Sequence, residues 1–285
     1  ALSLPLGKST GYNSVMLAAI GQIGSMAGRF SPITPESVLI YNLASEQGIT
    51  GYQTHTLIYA TITTIVLSFV IFFVFKGFRI KEPQSKEKEI LPAFTQKQVI
   101  TLVGFLAMIV ASAFFKRNVG LISFAVAVVL LLLNVADEKV VIKGVPWSTL
   151  MMVTGIGMLM NIVSDVGGVA LMSNGLASIM TPKTAVAIQG LSAGILSWFS
   201  SAIGVVWPTM VPTVGAIAEQ VGVKPEGLIT IMCLTASFAG FSPASTGGSL
   251  IMASYTQETG CDDKTQQKLF GQLFGLSAAV VCIVF

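Results

Sequence analysis

The sequence predicts an all-α polytopic membrane protein organised as an inverted repeat, with one re-entrant helical hairpin and two broken helices. Hydropathy gives the first ground: 53% of the residues are hydrophobic and 10% are charged, against roughly 25% charged in a soluble domain. Mean hydropathy is +0.80, and apolar stretches able to cross a hydrocarbon core of about 30 Å recur, with no charged residue from Thr56 to Phe75. The second ground is a pair of apolar helices interrupted by proline and glycine. The third is that the two interruptions resemble each other.

Residues 1–76 read as the remainder of a first repeat. An apolar, glycine-dotted helix begins near residue 13 and meets Arg29-Phe-Ser-Pro-Ile-Thr-Pro35, where two prolines forbid a continuous helix. It restarts at once, because Thr34 is a good N-cap, Pro35 suits the first helical position and Glu36 suits the positive end of the new helix. The broken helix is thus expected over 13–47, followed by a span over 55–76.

Residues 77–97 form the one long polar stretch, with Arg79, Lys81, Lys86 and Lys88 among Glu82, Glu87 and Glu89. A cytoplasmic linker here puts Lys139, Lys143, Lys264 and Lys268 on the same side and His55, Lys116, Arg117, Lys183 and Lys224 opposite, as the positive-inside rule asks. A second repeat, 98–285, then contains spans over 98–115, 119–135 and 146–166. In 182–218 two short apolar arms, 184–199 and 203–218, flank Ser200-Ser201, which is the pattern of a re-entrant hairpin. A second broken helix follows over 226–256, interrupted at Phe241-Ser-Pro-Ala-Ser-Thr-Gly-Gly248, and a last span covers 269–285.

Residues 25–40 and 237–251 match at Ser25/Ser237, Ala27/Ala239, Gly28/Gly240, Phe30/Phe241, Ser31/Ser242, Pro32/Pro243, Leu39/Leu250 and Ile40/Ile251, with one gap at Arg29. The identities centre on Phe-Ser-Pro, which apolar composition explains least. Spans counted from the linker give the two copies opposite orientation, and paired interrupted segments point to a midplane binding site. The same offset places a partner for the Ser200-Ser201 hairpin before residue 1, so an N-terminally incomplete chain is expected.

Unwound backbone persists in hydrocarbon only where protein or a wet cavity surrounds it. The helices restarting after each break offer free N–H groups and a positive dipole end, about half an elementary charge, to an anion. The candidate anion ligands are therefore Arg29, Ser31, Thr34, Pro35, Ser200, Ser201, Ser242, Ser245, Thr246 and Gly247. Carbonyls freed at Gly28, Ala202, Ala239 and Gly240, with Ser200 and Ser201, are the candidate ion ligands. Two alternatives stay open: Arg29 and Glu36 as a structural pair, since a charge in the membrane costs about 2.5–3.5 kcal/mol, and Ser200-Ser201 as a tight turn. His55 and Asp165 read as residues at span ends. The cysteines, Cys233, Cys261 and Cys282, lack metal-ligand spacing and read as buried thiols.

Gly7-Lys8-Ser9-Thr10 lacks the first glycine of a P-loop and no strand precedes it. Gly155-Ile-Gly157 lies inside an apolar helix, where small residues allow close packing. With no HExxH, catalytic carboxylate pair or Ser/His/Asp constellation, no enzyme is expected, nor any cofactor, transition metal or nucleic-acid partner.

Val145-Pro-Trp147 before a glycine-containing apolar helix, Ser200-Ser201-Ala202 at the hairpin tip and the loop Phe241–Gly248 together resemble the divalent-anion:sodium symporters of the ion transporter superfamily, in the dicarboxylate (malonate-type) branch. The tip lacks the family's Asn, and the loops read Thr-Pro-Glu-Ser and Ser-Thr-Gly-Gly where familiar members have Pro-Pro-Asn. The resemblance implies a secondary transporter of small organic anions, C3–C4 dicarboxylates first, coupled to Na+ or H+. It further implies an elevator mechanism and a homodimer in the lipid bilayer of the bacterial cytoplasmic (inner) membrane. Two rivals are an inorganic-anion or metalloid-oxyanion transporter of the same superfamily and a non-transporting membrane scaffold subunit.

Overall fold

The computed structural model describes residues 6–7, 10–79, 93–115, 119–145, 147–259 and 262–284. Most of the expected linker, together with Lys116, Arg117, Cys261 and two residues of the Gly7–Thr10 motif, lies outside them. The described secondary structure is helical throughout. The chain forms two compact units, residues 1–86 with 152–285, and residues 87–151. The division into repeats is one of sequence; in space the first broken helix and the hairpin share a unit.

In the larger unit, α1 (Ser14–Arg29) starts at Asn13, whose side chain accepts from the Val15 and Met16 N–H groups. After a break, α2 (Pro35–Ser45) starts at its Thr34 cap with Pro35 at the first helical position. Next comes α3 (Tyr52–Val74), three residues earlier than the expected span, because Gly51 at φ 86° makes the turn that begins it. Its two faces are sorted in the sense a bilayer requires. Tyr52, Thr56, Ala60, Thr64, Leu67 and Ile71 are buried, while Ile58 and Phe69 are 50% and 61% exposed, with Ile62, Ile65 and Phe73 in the same outward row. Small and hydroxylated residues let neighbouring helices approach: Thr56 and Thr230 share a hydrogen bond at 2.9 Å, and Thr64 Oγ1 donates to the Ile23 carbonyl at 3.4 Å.

The smaller unit contains α4 (Gln96–Phe115), α5 (Val119–Leu132) and α6 (Glu138–Gly144). Helices α4 and α5 pack closely at Gly104, where an added Cβ would stand 3.1 Å from Leu130 Cδ2. The expected span to 135 stops at Leu132 because the chain turns through Asn134 at φ 54°, and Asp137 caps α6 by accepting from Lys139 N–H at 2.7 Å.

Helix α7 (Trp147–Asp165) leads to α8 (Gly168–Ser178) and to the hairpin. Its first arm is α9 (Ala185–Trp198). The second arm is helical without being regular: a π-turn at Ala202–Val206, α10 (Trp207–Met210), a 3₁₀ turn at Val211–Thr213 and α11 (Val214–Val221). Pro208 and Pro212 lack N–H groups, so neither can continue the ladder. Then come α12 (Pro225–Phe238), a 3₁₀ turn at Ala239–Phe241, α13 (Thr246–Thr259) and α14 (Asp263–Val284). Among the described residues, Pro225–Ala253 is apolar enough to cross a membrane, and residues 228–239 within it are buried without interruption, whereas the apolar α3 buries one face only. At the second break Ala239, Phe241, Ser242 and Ser245 are buried in protein, as unwound backbone in a membrane asks, while Ala244 and Thr246 are exposed. Of the thiols expected to be buried, Cys233 is, whereas Cys282 is exposed on α14.

Candidate functional site

The two breaks share one backbone design. In the first, Ser31 N–H donates to Gly28 O at 3.0 Å, Thr34 N–H to Ser31 O at 3.0 Å, and Val38 N–H to Thr34 O at 3.1 Å. In the second, Ser242 N–H donates to Ala239 O at 3.0 Å, Ser245 N–H to Ser242 O at 2.8 Å, and Ser249 N–H to Ser245 O at 3.0 Å. Two successive three-residue turns through Ser-Pro thus carry each chain from one helix into the next. The hydrogen bonds pair Gly28 with Ala239 and Arg29 with Gly240. No gap is needed at Arg29; the match of Gly28 with Gly240 is one of sequence only.

The side chains then diverge. At the first break Thr34 Oγ1 lies 2.5 Å from Arg29 O and 2.8 Å from Ser31 O, two carbonyls competing for one proton, and accepts from Ser37 N–H at 3.4 Å. Arg29 Nε stands 3.8 Å from Glu36 Oε1, both side chains about four-fifths buried. Pairing offsets the cost of placing either charge there. At the second break the contacts run outward to the hairpin. Ser242 Oγ donates to Trp198 O at 2.6 Å and accepts from Ala244 N–H at 3.3 Å, and Ser245 Oγ donates to Ser200 O at 3.0 Å. The fold thus brings Ser200, Ser242 and Ser245 together, as a site at the hairpin tip requires.

At the tip, Ser200 Oγ donates back to Leu196 O at 2.6 Å and Ser201 Oγ accepts from Gly204 N–H at 3.1 Å, capping the π-turn. The second arm meets the first break through Phe30 and Trp207, ring centroids 6.1 Å apart. Thr246 begins α13 and is exposed; Gly247 and Gly248 follow. A Cβ on Gly247 would stand 2.6 Å from Gly240 O and 2.9 Å from Gln22 Nε2, and one on Gly248 would stand 2.3 Å from both Phe241 O and Ser242 O. Only glycine lets α13 begin so close to the turn before it.

Several expected ion ligands are engaged within the protein. Gly28 O accepts from Ser31 N–H, Ala202 O accepts from Trp207 N–H, and Ala239 O accepts from both Ser242 N–H and Ser277 Oγ, the last at 2.7 Å. With two lone pairs per carbonyl, Ala239 is filled, and Gly28 O is also met by the Phe30 N–H.

Sequence reasoning missed Gln22 on α1, Ser197 on α9, whose Oγ donates to Ala236 O at 2.6 Å, and Ser277 on α14. Gln22, an amide in an apolar helix, was a signal to follow. The serines carried none, since small hydroxyls are common in such helices. Also missed were Trp198 Nε1, Trp207 Nε1 and Ser237 Oγ, which are buried and have no hydrogen-bond partner among the described residues. An unmet buried donor costs about 1–3 kcal/mol, and the two indoles bracket the Ser200-Ser201 tip in sequence.

No curated protein matches the chain significantly. A family model described as CitMHS, citrate transporter, matches residues 1–283. A second broken helix largely buried in protein, an outward apolar row on α3 and this match agree: the chain belongs to the CitMHS citrate transporter family of the ion transporter superfamily and is an integral membrane protein, a secondary anion transporter rather than an enzyme.

Proposed function

We propose that this protein carries small polycarboxylates, citrate first and C3–C4 dicarboxylates after it, by a cation-coupled elevator mechanism. The observation that supports this reading best is the cross-bonding of the hairpin tip to the second break through Ser242–Trp198 and Ser245–Ser200. It gathers hydroxyls, a glycine pair and the start of α13 at one place. Carboxylates suit that chemistry, because the N–H groups at a helix start donate to them without requiring a full counter-charge, while the Ser200, Ser242 and Ser245 hydroxyls, which donate to backbone carbonyls, hold the tip in place.

In this reading Ser31, Thr34, Pro35, Ser200, Ser201, Ser242, Ser245, Thr246 and Gly247 line the anion site, with Arg29 supplying positive charge once substrate competes for it with Glu36. A coupling Na+ binds beside the tip, using Ser200, Ser201 and the Gly28, Ala202 and Gly240 carbonyls; coupling to H+ instead would need a titratable group, which this ligand set does not contain. The hairpin and broken helices move as one body, and the protein works as a homodimer in the bacterial cytoplasmic membrane. Residues 77–97 are the cytoplasmic link between repeats covering 1–76 and 98–285.

The test is uptake of radiolabelled citrate, succinate and malonate into proteoliposomes, under an imposed sodium gradient and, separately, a proton gradient. Citrate uptake driven by either gradient is expected. Dicarboxylate uptake without citrate uptake would move the substrate assignment, uptake indifferent to both gradients would remove cation coupling, and arsenite or sulfate uptake alone would favour the inorganic-anion rival.

A further inference from the structure

The second hairpin arm carries a repair that neither proline explains alone. Val211 C=O and Gly215 N–H are the pair that an unbroken α-ladder would join, and the carboxamide of Gln47, from the turn after α2, spans them. Gln47 Nε2 donates to Val211 O at 2.9 Å, and Gly215 N–H donates to Gln47 Oε1 at 3.0 Å. The second hydrogen on Nε2 reaches Leu43 O, also at 3.0 Å, so both donors are used and the amide is held in one orientation. Gly215 is needed for the fit: a Cβ there would stand 2.9 Å from Gln47 Oε1. A side chain inserted into a helix ladder is a recognised cause of a fixed bend. Here it comes from a segment 168 residues away in the chain.

The arm so gripped begins at the Ser200-Ser201 tip. Its near end touches the first break through Phe30 and Trp207, and its far end is tied to α2 by Gln47. The first arm and the tip, in contrast, are bonded to the second broken helix through Ser197, Ser242 and Ser245. The hairpin is thus clamped from both sides, by the second broken helix at the tip and by the first through Phe30 and the Gln47 amide.

We propose that Gln47 is a positioning residue. By fixing the bend and tilt of the second arm against α2, it sets where the Ser200-Ser201 tip stands relative to Ser242 and Ser245. The inference rests on the reading of that tip as part of the substrate site, and Gln47 itself touches no ligand.

The experiment pairs two readouts on the purified full-length protein: hydrogen–deuterium exchange of amides 202–215 without substrate, and citrate uptake kinetics in proteoliposomes. Gln47→Leu is expected to speed exchange across 211–215 at least tenfold and to raise KM at least fivefold with Vmax within twofold of wild type. Gln47→Glu keeps the acceptor for Gly215 N–H but loses the donors to Val211 and Leu43, so its KM should fall between the two. It also serves as the test if the leucine variant fails to fold. Unchanged exchange in a folded variant, or faster exchange with unchanged KM, overturns the proposal. Absence of citrate uptake by the wild-type protein counts against the carrier reading instead, and the exchange measurement still decides whether Gln47 holds the arm.

Discussion

The two broken helices follow the same hydrogen-bonded path and solve the same problem with opposite chemistry. Where the first break has Arg29 and Glu36, an ion pair at 3.8 Å, the second has Gly240 and Gly247, with room for no Cβ between Gly247 and the Gly240 carbonyl. In the backbone register these are equivalent positions. One break is held by charge and meets the hairpin through an apolar ring contact, Phe30 with Trp207. The other is held by close backbone approach and tied to a third element, the hairpin. A duplicated backbone therefore leaves each copy free to specialise, and the specialisation lies in the two positions that face one another across the turn.

The comparison can be broken most forcefully at Gly248. Alanine there would put a Cβ within 2.3 Å of two backbone carbonyls, which cannot swing aside as a side chain would. Gly248→Ala should cost about 3 kcal/mol or more and abolish uptake; thermal denaturation in detergent reads the first and proteoliposomes the second. A variant as stable as wild type would mean that the second break is looser than its hydrogen bonds imply.

Next in size is the tie to the hairpin. Ser242→Ala leaves the Trp198 carbonyl without its hydroxyl donor and should cost about 1–3 kcal/mol, and Ser245→Ala somewhat less at its longer contact. A double-mutant cycle over the two, read by denaturation, should be non-additive, since both hold one tip. Strict additivity would show two independent contacts.

A charge change at the first break should act on affinity before stability. Arg29→Gln is expected to raise KM for citrate about tenfold, roughly 1.4 kcal/mol, whereas Glu36→Gln should lower or preserve KM by freeing the guanidinium. Equal effects of both substitutions on melting, with KM unmoved, would mark the pair as purely structural.

The smallest effect reverses sign. Gly28 has open space where a Cβ would go and sits inside α1, so Gly28→Ala should stabilise the protein by about 0.5–1 kcal/mol. A loss of stability or of cation coupling would instead assign the Gly28 backbone a role that only glycine fills.

Much of this architecture was legible in the chain because proline and glycine punctuate it. Pro32 and Pro35 announced the first break, and Thr34 its restart; Pro243 with Gly247 and Gly248 announced the second. The helix break at Ser200-Ser201 was legible from the two apolar arms that flank it. What stayed hidden has a common cause: it depends on which helix lies beside which. Gln47 gives no local sign that its amide bridges Val211 and Gly215, and Ser197 and Ser277 are ordinary small residues until the fold sets them against the Ala236 and Ala239 carbonyls. For the same reason carbonyls that seemed free to hold a cation, Ala239 above all, turn out to be engaged by neighbours. The Arg29–Glu36 pair was visible as two charges, but their approach runs across a break, where no helical spacing rule applies.

The sorted faces of α3 bear on which substitutions the protein can accumulate. On its outward row Ile58, Ile62, Ile65, Phe69 and Phe73 are interchangeable with any side chain of comparable greasiness, because a fluid neighbour imposes no shape. On its inward row, one added methylene at Ala60 or a lost hydroxyl at Thr56 is met by fixed atoms of another helix. Drift along this helix should therefore be fast on the outward row and slow on the inward one, although both rows are largely apolar.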